Sequence, residues 1–97
     1  MNFSFSDRLS TAPDVVYQEI SGETVLLNLK TELYFGLNSV GTRVWEFIQA
    51  NATAENIIDS LIMEYGESED LIKNDVVQLI QRMDECGLVL MSPGTDA

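Results

Sequence analysis

Carboxylates are the side chains most available for chemistry in this sequence. Residues 54–85 contain nine Asp or Glu residues but only two Lys or Arg residues. Such a set could hold a metal ion or supply a general acid and a general base. The stretch after Asp70, however, lacks the glycine that a calcium-binding loop needs at its sixth position. Because most of these acids fall opposite apolar stripes of helical period, we interpret them as solvated helix faces.

Histidine and cysteine, which form most zinc sites and nucleophilic dyads, are nearly absent from the sequence. It contains no histidine and a single cysteine, Cys86. This composition excludes a Cys/His zinc site, a Ser-His or Cys-His dyad and an internal disulfide. Cys86 falls at the predicted C-terminus of a helix, where the helix dipole disfavours a thiolate, so we interpret it as a small, half-buried apolar residue. The sequence therefore predicts a protein that is not an enzyme and that uses no metal or other cofactor.

The length and net charge of the chain limit the number of domains and the kinds of partner that it can have. The chain has 97 residues and a net charge of −11, which would repel nucleic acids and anionic membranes. No apolar run reaches the ~18 residues of a membrane span, and the first residues do not resemble a signal peptide. We therefore expect one cytoplasmic domain with neither a nucleic acid nor a membrane as a partner.

The elements that must position any site begin with strands. Residues 1–13 are mostly polar and end in a proline, which predicts a loose N-terminal tail. Residues 15–20, 24–30 and 33–37 are rich in β-branched and aromatic residues and are separated by short turn sequences. Three short strands joined by tight turns predict an antiparallel meander.

The second half of the chain predicts three helices. Asn38 or Ser39 can cap the first, Thr53 caps the second, and the third begins at Ser68. The apolar run 88–91 is either a further strand or a segment packed beneath the helices. Strands followed by helices predict an α+β domain over residues 14–91, with a short C-terminal tail over residues 92–97.

The third predicted strand, residues 33–37, lies at the edge of the meander. Exposed edges in natural proteins are usually protected by lysine, proline or a bulge. This strand contains no charged residue and no proline. Two readings remain open from the pattern alone: a helix covers the edge, or an extended peptide pairs with it as an added strand.

Residues 27–48, LNLKTELYFGLNSVGTRVWEFI, resemble the signature of the PqqD-like family. The resemblance rests on Tyr34-Phe35, Leu37-Asn38, Gly41 and Val44-Trp45. Glu32 departs from the glycine that the family often has in the strand turn, which concerns the turn type more than the fold. The likeness extends over residues 14–91. It implies a winged helix-turn-helix-like domain with a three-stranded antiparallel meander followed by three helices.

The resemblance implies a RiPP recognition element, which binds the leader of a ribosomally made precursor peptide. Such domains present the leader to a modifying enzyme: a leader peptidase acting with a cyclase in lasso-peptide assembly, or a radical SAM enzyme, as in pyrroloquinoline quinone biosynthesis. The leader would lie antiparallel to the third strand, in the groove between that strand and the third helix. The implied peptide-binding residues are Leu33, Tyr34, Phe35, Gly36, Leu37, Asp75, Val76, Leu79, Ile80, Arg82 and Met83.

Two alternatives belong to other classes of protein. A winged-helix DNA-binding regulator would share the fold, but the net charge of −11 and a third helix with only Lys73 and Arg82 as bases argue against it. A homodimerisation module would pair residues 33–37 of two copies across a two-fold axis. We expect a monomer, with the edge-paired dimer as the alternative.

Overall fold

A computed structural model describes residues 4–66 and 68–93. Its α+β class and its antiparallel sheet of order β2-β3-β4 followed by three helices confirm the predicted fold. The elements in chain order are β1 (Arg8–Thr11), β2 (Val15–Ile20), β3 (Glu23–Asn28), β4 (Leu33–Leu37), α1 (Ser39–Gln49), α2 (Ala54–Tyr65), α3 (Glu69–Glu85) and β5 (Val89–Ser92).

The helix boundaries follow from local side-chain chemistry. The Asn38 side chain accepts a hydrogen bond from the Gly41 amide at 2.9 Å, so Asn38 is the N-cap of α1. Thr53 caps α2 by accepting from the amide of Asn56 at 3.1 Å. Both caps were predicted and are confirmed. Ser68 is also the N-cap of α3, although its side chain makes no capping hydrogen bond.

The N-terminal segment corrects the sequence-based prediction. Residues 8–11, predicted as part of a loose tail, form β1, which pairs antiparallel with β5. Leu9 is fully buried, so this strand contributes to the core. The run 88–91 therefore belongs largely to a strand, and Ser92, predicted to lie in the C-terminal tail, ends it. The predicted tails at 1–3 and 94–97 lie outside the described residues.

Helix α1 packs against one face of the β2-β3-β4 sheet. Leu26 in β3 is fully buried, and Trp45 and Ile48 of α1 belong to the same core. Burying a large apolar side chain of this kind contributes roughly 1.5–3 kcal/mol to the free energy of folding. A buried hydrogen bond of 2.9 Å between the hydroxyls of Thr24 and Thr42 also joins β3 to α1. The sheet therefore has a helix-facing side and an opposite, outer side.

Gly87, the second residue after α3, supports a stability prediction. Gly87 has a left-handed φ of +70°, and a Cβ atom there would lie 3.0 Å from Nδ2 of Asn28. Gly66 has a similar φ of +64°, but nothing lies within 4 Å of its Cβ position. An alanine in this conformation costs about 1–2 kcal/mol. We expect Gly66→Ala to show that cost alone and Gly87→Ala to be about 1 kcal/mol worse because of the clash. Urea unfolding of both variants measures the difference, and equal losses would contradict the contact.

Candidate functional site

Strand β4 lies at the edge of its sheet. Among the described residues, β4 pairs with β3 and with no other strand. The register places Phe35 opposite Leu26 and Leu37 opposite Thr24, so both side chains face the helices. Tyr34 and Gly36 alternate with them and face the outer side. The predicted edge is thus present, and its backbone is available to a further strand.

A groove runs beside this edge. Its volume is about 350 Å³, and it lies between β4, the start of α1 and one face of α3. The α3 residues that line it recur at the spacing of a single helix face. The lining residues are Phe35, Gly36, Leu37, Asn38, Val40, Gly41, Val44, Asp75, Val76, Gln78, Leu79 and Arg82.

A smaller cavity of about 80 Å³ adjoins the groove on the side of α2. It shares Val40, Asp75 and Val76 with the groove and adds Leu61 and Tyr65 to the lining. The shared residues place the Val40 end of the groove next to a second apolar recess. An occupant of the groove could therefore extend a side chain between α1 and α2.

The groove carries one charge of each sign in its lining. Asp75 lies toward Val40, because the two residues line both cavities. The Arg82 guanidinium carbon is 5.3 Å from the centre of the Phe35 ring, within the range of a cation–π contact. Arg82 follows Asp75 by seven positions on α3, which is about 10 Å along the helix axis. The groove therefore carries opposite charges toward its two ends, and Val76, Gln78 and Leu79 of α3 line it between them.

Comparisons with known proteins address the family. The family model for coenzyme PQQ synthesis protein D (PqqD) matches residues 23–89 of this chain. The chain belongs to the PqqD family. The matched residues include β3, β4 and all three helices, and so every element that lines the groove. The comparison with curated proteins finds no match.

Two solved structures share the fold. The structure of TbiB1 in complex with the TbiA(beta) leader peptide is 30% identical, with a TM-score of 0.78, and the match covers 82% of this chain and 93% of that chain. The structure of a lasso peptide synthetase B1 complexed with the leader peptide has a TM-score of 0.75, and the match covers 84% of this chain and 96% of that chain. Its identity is 18%, so this second likeness concerns the fold alone.

The structure brings together most of the residues that the resemblance to the PqqD family implies. Those that line the groove are Phe35, Gly36, Leu37, Asp75, Val76, Leu79 and Arg82. Leu33 is 62% exposed at the start of β4, and Tyr34 lies on the outer side of the sheet, so neither lines the groove. Ile80 and Met83 are fully buried in the core, and we correct the predicted set by removing them from the groove face. The rotation of α3 directs both side chains into the interior.

Residues that sequence reasoning missed come from α1 and α3. Val40 and Val44 follow the apolar period of α1, which is typical of core positions, yet both also line the groove. Asn38 was predicted only as a cap, and Gln78 was not predicted at all. For Gln78, the available signal was its spacing of three residues from Asp75 and four from Arg82, which places all three on one side of the helix.

Chemistry outside the groove is limited in the described residues. Residues 4–66 and 68–93 contain no cluster of His, Cys, Asp and Glu suited to a metal ion. No helix in these ranges is long and apolar enough to cross a membrane. Arg43 on α1 forms ion pairs with Glu64 at 2.8 Å and Glu46 at 3.0 Å. The hydrogen bond from Arg43 lowers the pKa of the exposed Glu64 carboxyl below its ordinary value.

Proposed function

We propose that this chain binds the leader segment of a ribosomally synthesised precursor peptide and presents it to a modifying enzyme. The observation that carries the proposal is the edge of β4, which pairs with no second strand among the described residues, beside a groove with many apolar lining residues. Family membership supports it, as does the 30% identity to TbiB1, whose structure contains a leader peptide. The leader would add to the sheet as a fourth strand, antiparallel to β4.

Backbone and side chains would divide the recognition between them. Main-chain hydrogen bonds along β4 would fix the register of the leader, each contributing about 0.5–1.5 kcal/mol net. Alternate leader side chains would point into the groove, where aromatic, proline or leucine residues would contact Phe35, Val76 and Leu79. Because the leader loses conformational freedom on binding, we expect a Kd between nanomolar and low micromolar, on the order of −8 to −12 kcal/mol.

Charge would act at two ranges. The net charge of −11 would attract leaders rich in Lys or Arg and raise their encounter rate. Close to the groove, an antiparallel leader would place its N-terminal end near Asp75 and its C-terminal end near Arg82. The two groups would therefore favour a basic residue early in the bound segment and an acidic residue late in it.

The modifying enzyme we propose is the leader peptidase of a lasso-type pathway, which would act together with a cyclase. The fold shared with a lasso peptide synthetase B1 that binds a leader peptide supports this pathway over partnership with a radical SAM enzyme. This chain would take no part in bond breaking: its role would be to hold the leader so that the adjoining precursor reaches the enzyme. The sequence contains no histidine, and the groove is lined by a single carboxylate, Asp75.

A titration of the chain into fluorescently labelled leader, taken from the short precursor encoded beside the gene, tests the proposal. We expect saturable anisotropy with a Kd at or below low micromolar, unchanged by excess duplex DNA. A scrambled leader of the same composition controls for charge and should bind at least tenfold more weakly. The same titration in high salt separates the electrostatic contribution to association.

Two results would contradict the proposal. Loss of the signal on addition of duplex DNA, with DNA affinity that falls as salt rises, would favour the DNA-binding alternative. Absence of binding at tens of micromolar, with a mass by light scattering that rises with concentration, would favour edge-to-edge dimers of β4.

A further inference from the structure

The outer side of the β2-β3-β4 sheet carries a row of apolar side chains. The register places Val16 opposite Leu27 and Leu27 opposite Tyr34, so these three residues form one row across the sheet. Val25 lies in the next row, between Gln18 and Gly36, and Ile20 lies beyond it, opposite Glu23. The alternating neighbours in β3, which include Leu26, are buried on the other side. We call the set Val16, Ile20, Val25, Leu27 and Tyr34 the outer patch.

The outer patch is exposed although its residues are of core type. Tyr34 is 73% exposed, Ile20 58%, Val16 48% and Val25 44%. A sheet with one face in water normally carries polar residues on that face. Single exposed apolar residues need no explanation, but a contiguous group of them marks a surface that another molecule covers.

Acidic residues border the outer patch at two turns. Glu23 shares the outer side at the start of β3, and Glu32 lies in the turn that leads into β4. Lys30, in the same turn as Glu32, is 3.4 Å from the carboxylate of Asp14, so its charge is offset locally. A partner would therefore meet apolar side chains with negative charge around them.

We propose that the outer patch is the docking surface for the enzyme that modifies the leader-bound precursor. The enzyme would cover it with an apolar surface bordered by Lys and Arg residues. This inference rests on the proposed function, because the leader added to β4 would extend the same sheet. Its outward side chains would then stand beside Tyr34 and Gly36, continuous with the outer patch.

Charge and continuity select this occupant. A second copy would bring another net charge of −11 against the same acidic border, which disfavours self-association through this face. An enzyme bound to the outer patch would contact both this chain and the outward side of the leader strand. The enzyme would therefore bind the complex of this chain with the leader more tightly than this chain alone, because only the complex offers the complete surface.

The test uses Val16→Glu/Ile20→Glu, which changes the strand farthest from the leader edge. We expect its leader Kd to stay within twofold of the unsubstituted chain. Its affinity for the purified leader peptidase encoded beside the gene should fall at least tenfold. The rate of precursor cleavage should fall by the same factor when the concentration of this chain limits the reaction. Met63→Glu places a single glutamate on an 86% exposed residue of α2, away from the outer patch, and should leave all three quantities unchanged.

Charge is tested separately by Glu23→Lys/Glu32→Lys. We expect this variant to bind the peptidase at least threefold more weakly, with a smaller dependence on salt, while still binding the leader. Val16→Thr/Ile20→Thr retains β-branched side chains in the sheet, and circular dichroism on every variant confirms folding.

Three outcomes would overturn this inference in distinguishable ways. Normal cleavage and peptidase affinity in Val16→Glu/Ile20→Glu would exclude the outer patch as the docking surface, while leader binding would stand. A dimer of the unsubstituted chain that the same variant dissociates would make a second copy the occupant. Failure of the unsubstituted chain to bind the leader would remove the proposed function and this inference together.

Discussion

Leu79→Asp is expected to raise the Kd for the leader at least about 30-fold, which corresponds to about 2 kcal/mol. Leu79 lines the groove and is partly buried against the core. Burying a leucine side chain in a complex contributes roughly 1.5–3 kcal/mol, and a carboxylate in its place would have to lose water beside an apolar leader residue. Both effects weaken binding. Fluorescence anisotropy with the labelled leader measures the change.

The matched control lies on the same helix. Leu71 is 51% exposed and does not line the groove, so Leu71→Asp introduces the same charge without touching the site. We expect its Kd to stay within twofold. A folded Leu79→Asp variant that binds the leader normally would show that the leader does not use the groove, even if β4 accepts it as a strand.

Local signals predicted most of the fold. Asn38 and Thr53 cap α1 and α2 as expected, because a short polar side chain before an amphipathic segment satisfies an unpaired backbone amide. Strand β4 has the predicted bounds, since Thr31 and Glu32 interrupt two β-rich runs. These features depend on residues close together in the chain, which is why a single sequence reveals them.

Strand β1 was missed because its signal is not local. Arg8–Thr11 contains one large apolar residue, Leu9, and its partner strand β5 lies almost eighty residues away. A strand of four residues gains little from its own propensity and forms only when the rest of the domain supplies its partner and the pocket for Leu9. The local sequence of residues 8–11 therefore predicts little order, and the strand forms only because it pairs with β5.

The site was predicted better on the strand than on the helix. The apolar face of α3 is broad, so its sequence pattern allows several rotations of the helix about its own axis. Contacts with the rest of the core select the rotation that buries Ile80 and Met83. The orientation of Tyr34 needs no such contacts, because the period of two along a strand already places it on the other side of the sheet from Phe35. The sequence shows this alternation, but the resemblance to the family implied both Tyr34 and Phe35 as peptide-binding residues.

Asn28 connects the two walls of the groove. Its Nδ2 donates to the Cys86 carbonyl at 2.9 Å, just after α3, and its Oδ1 accepts from the Lys30 amide at 2.9 Å, in the turn before β4. Asn28 is 5% exposed, so water cannot readily replace these partners. The β3–β4 turn and the end of α3 are therefore held together by one buried amide, which sets the spacing between strand and helix.

We expect Asn28→Ala to lower the free energy of unfolding by about 2–3 kcal/mol, because a buried carbonyl and a backbone amide lose their partner. In a domain of this size that loss lowers Tm by roughly 10–20 °C. Asn74→Ala, on an exposed position of α3, is the control and should stay within about 0.5 kcal/mol. Thermal and urea unfolding measure both variants.

Leader binding by the folded Asn28→Ala variant distinguishes two roles for this residue. If Asn28 sets the separation of β4 and α3, the leader Kd should rise severalfold at a temperature where the variant is fully folded, since a looser groove must be ordered by the leader itself. An unchanged Kd with lowered stability would show that the amide supports the domain as a whole. In that case the spacing of the groove depends on the packing of Leu37 and Val76 instead.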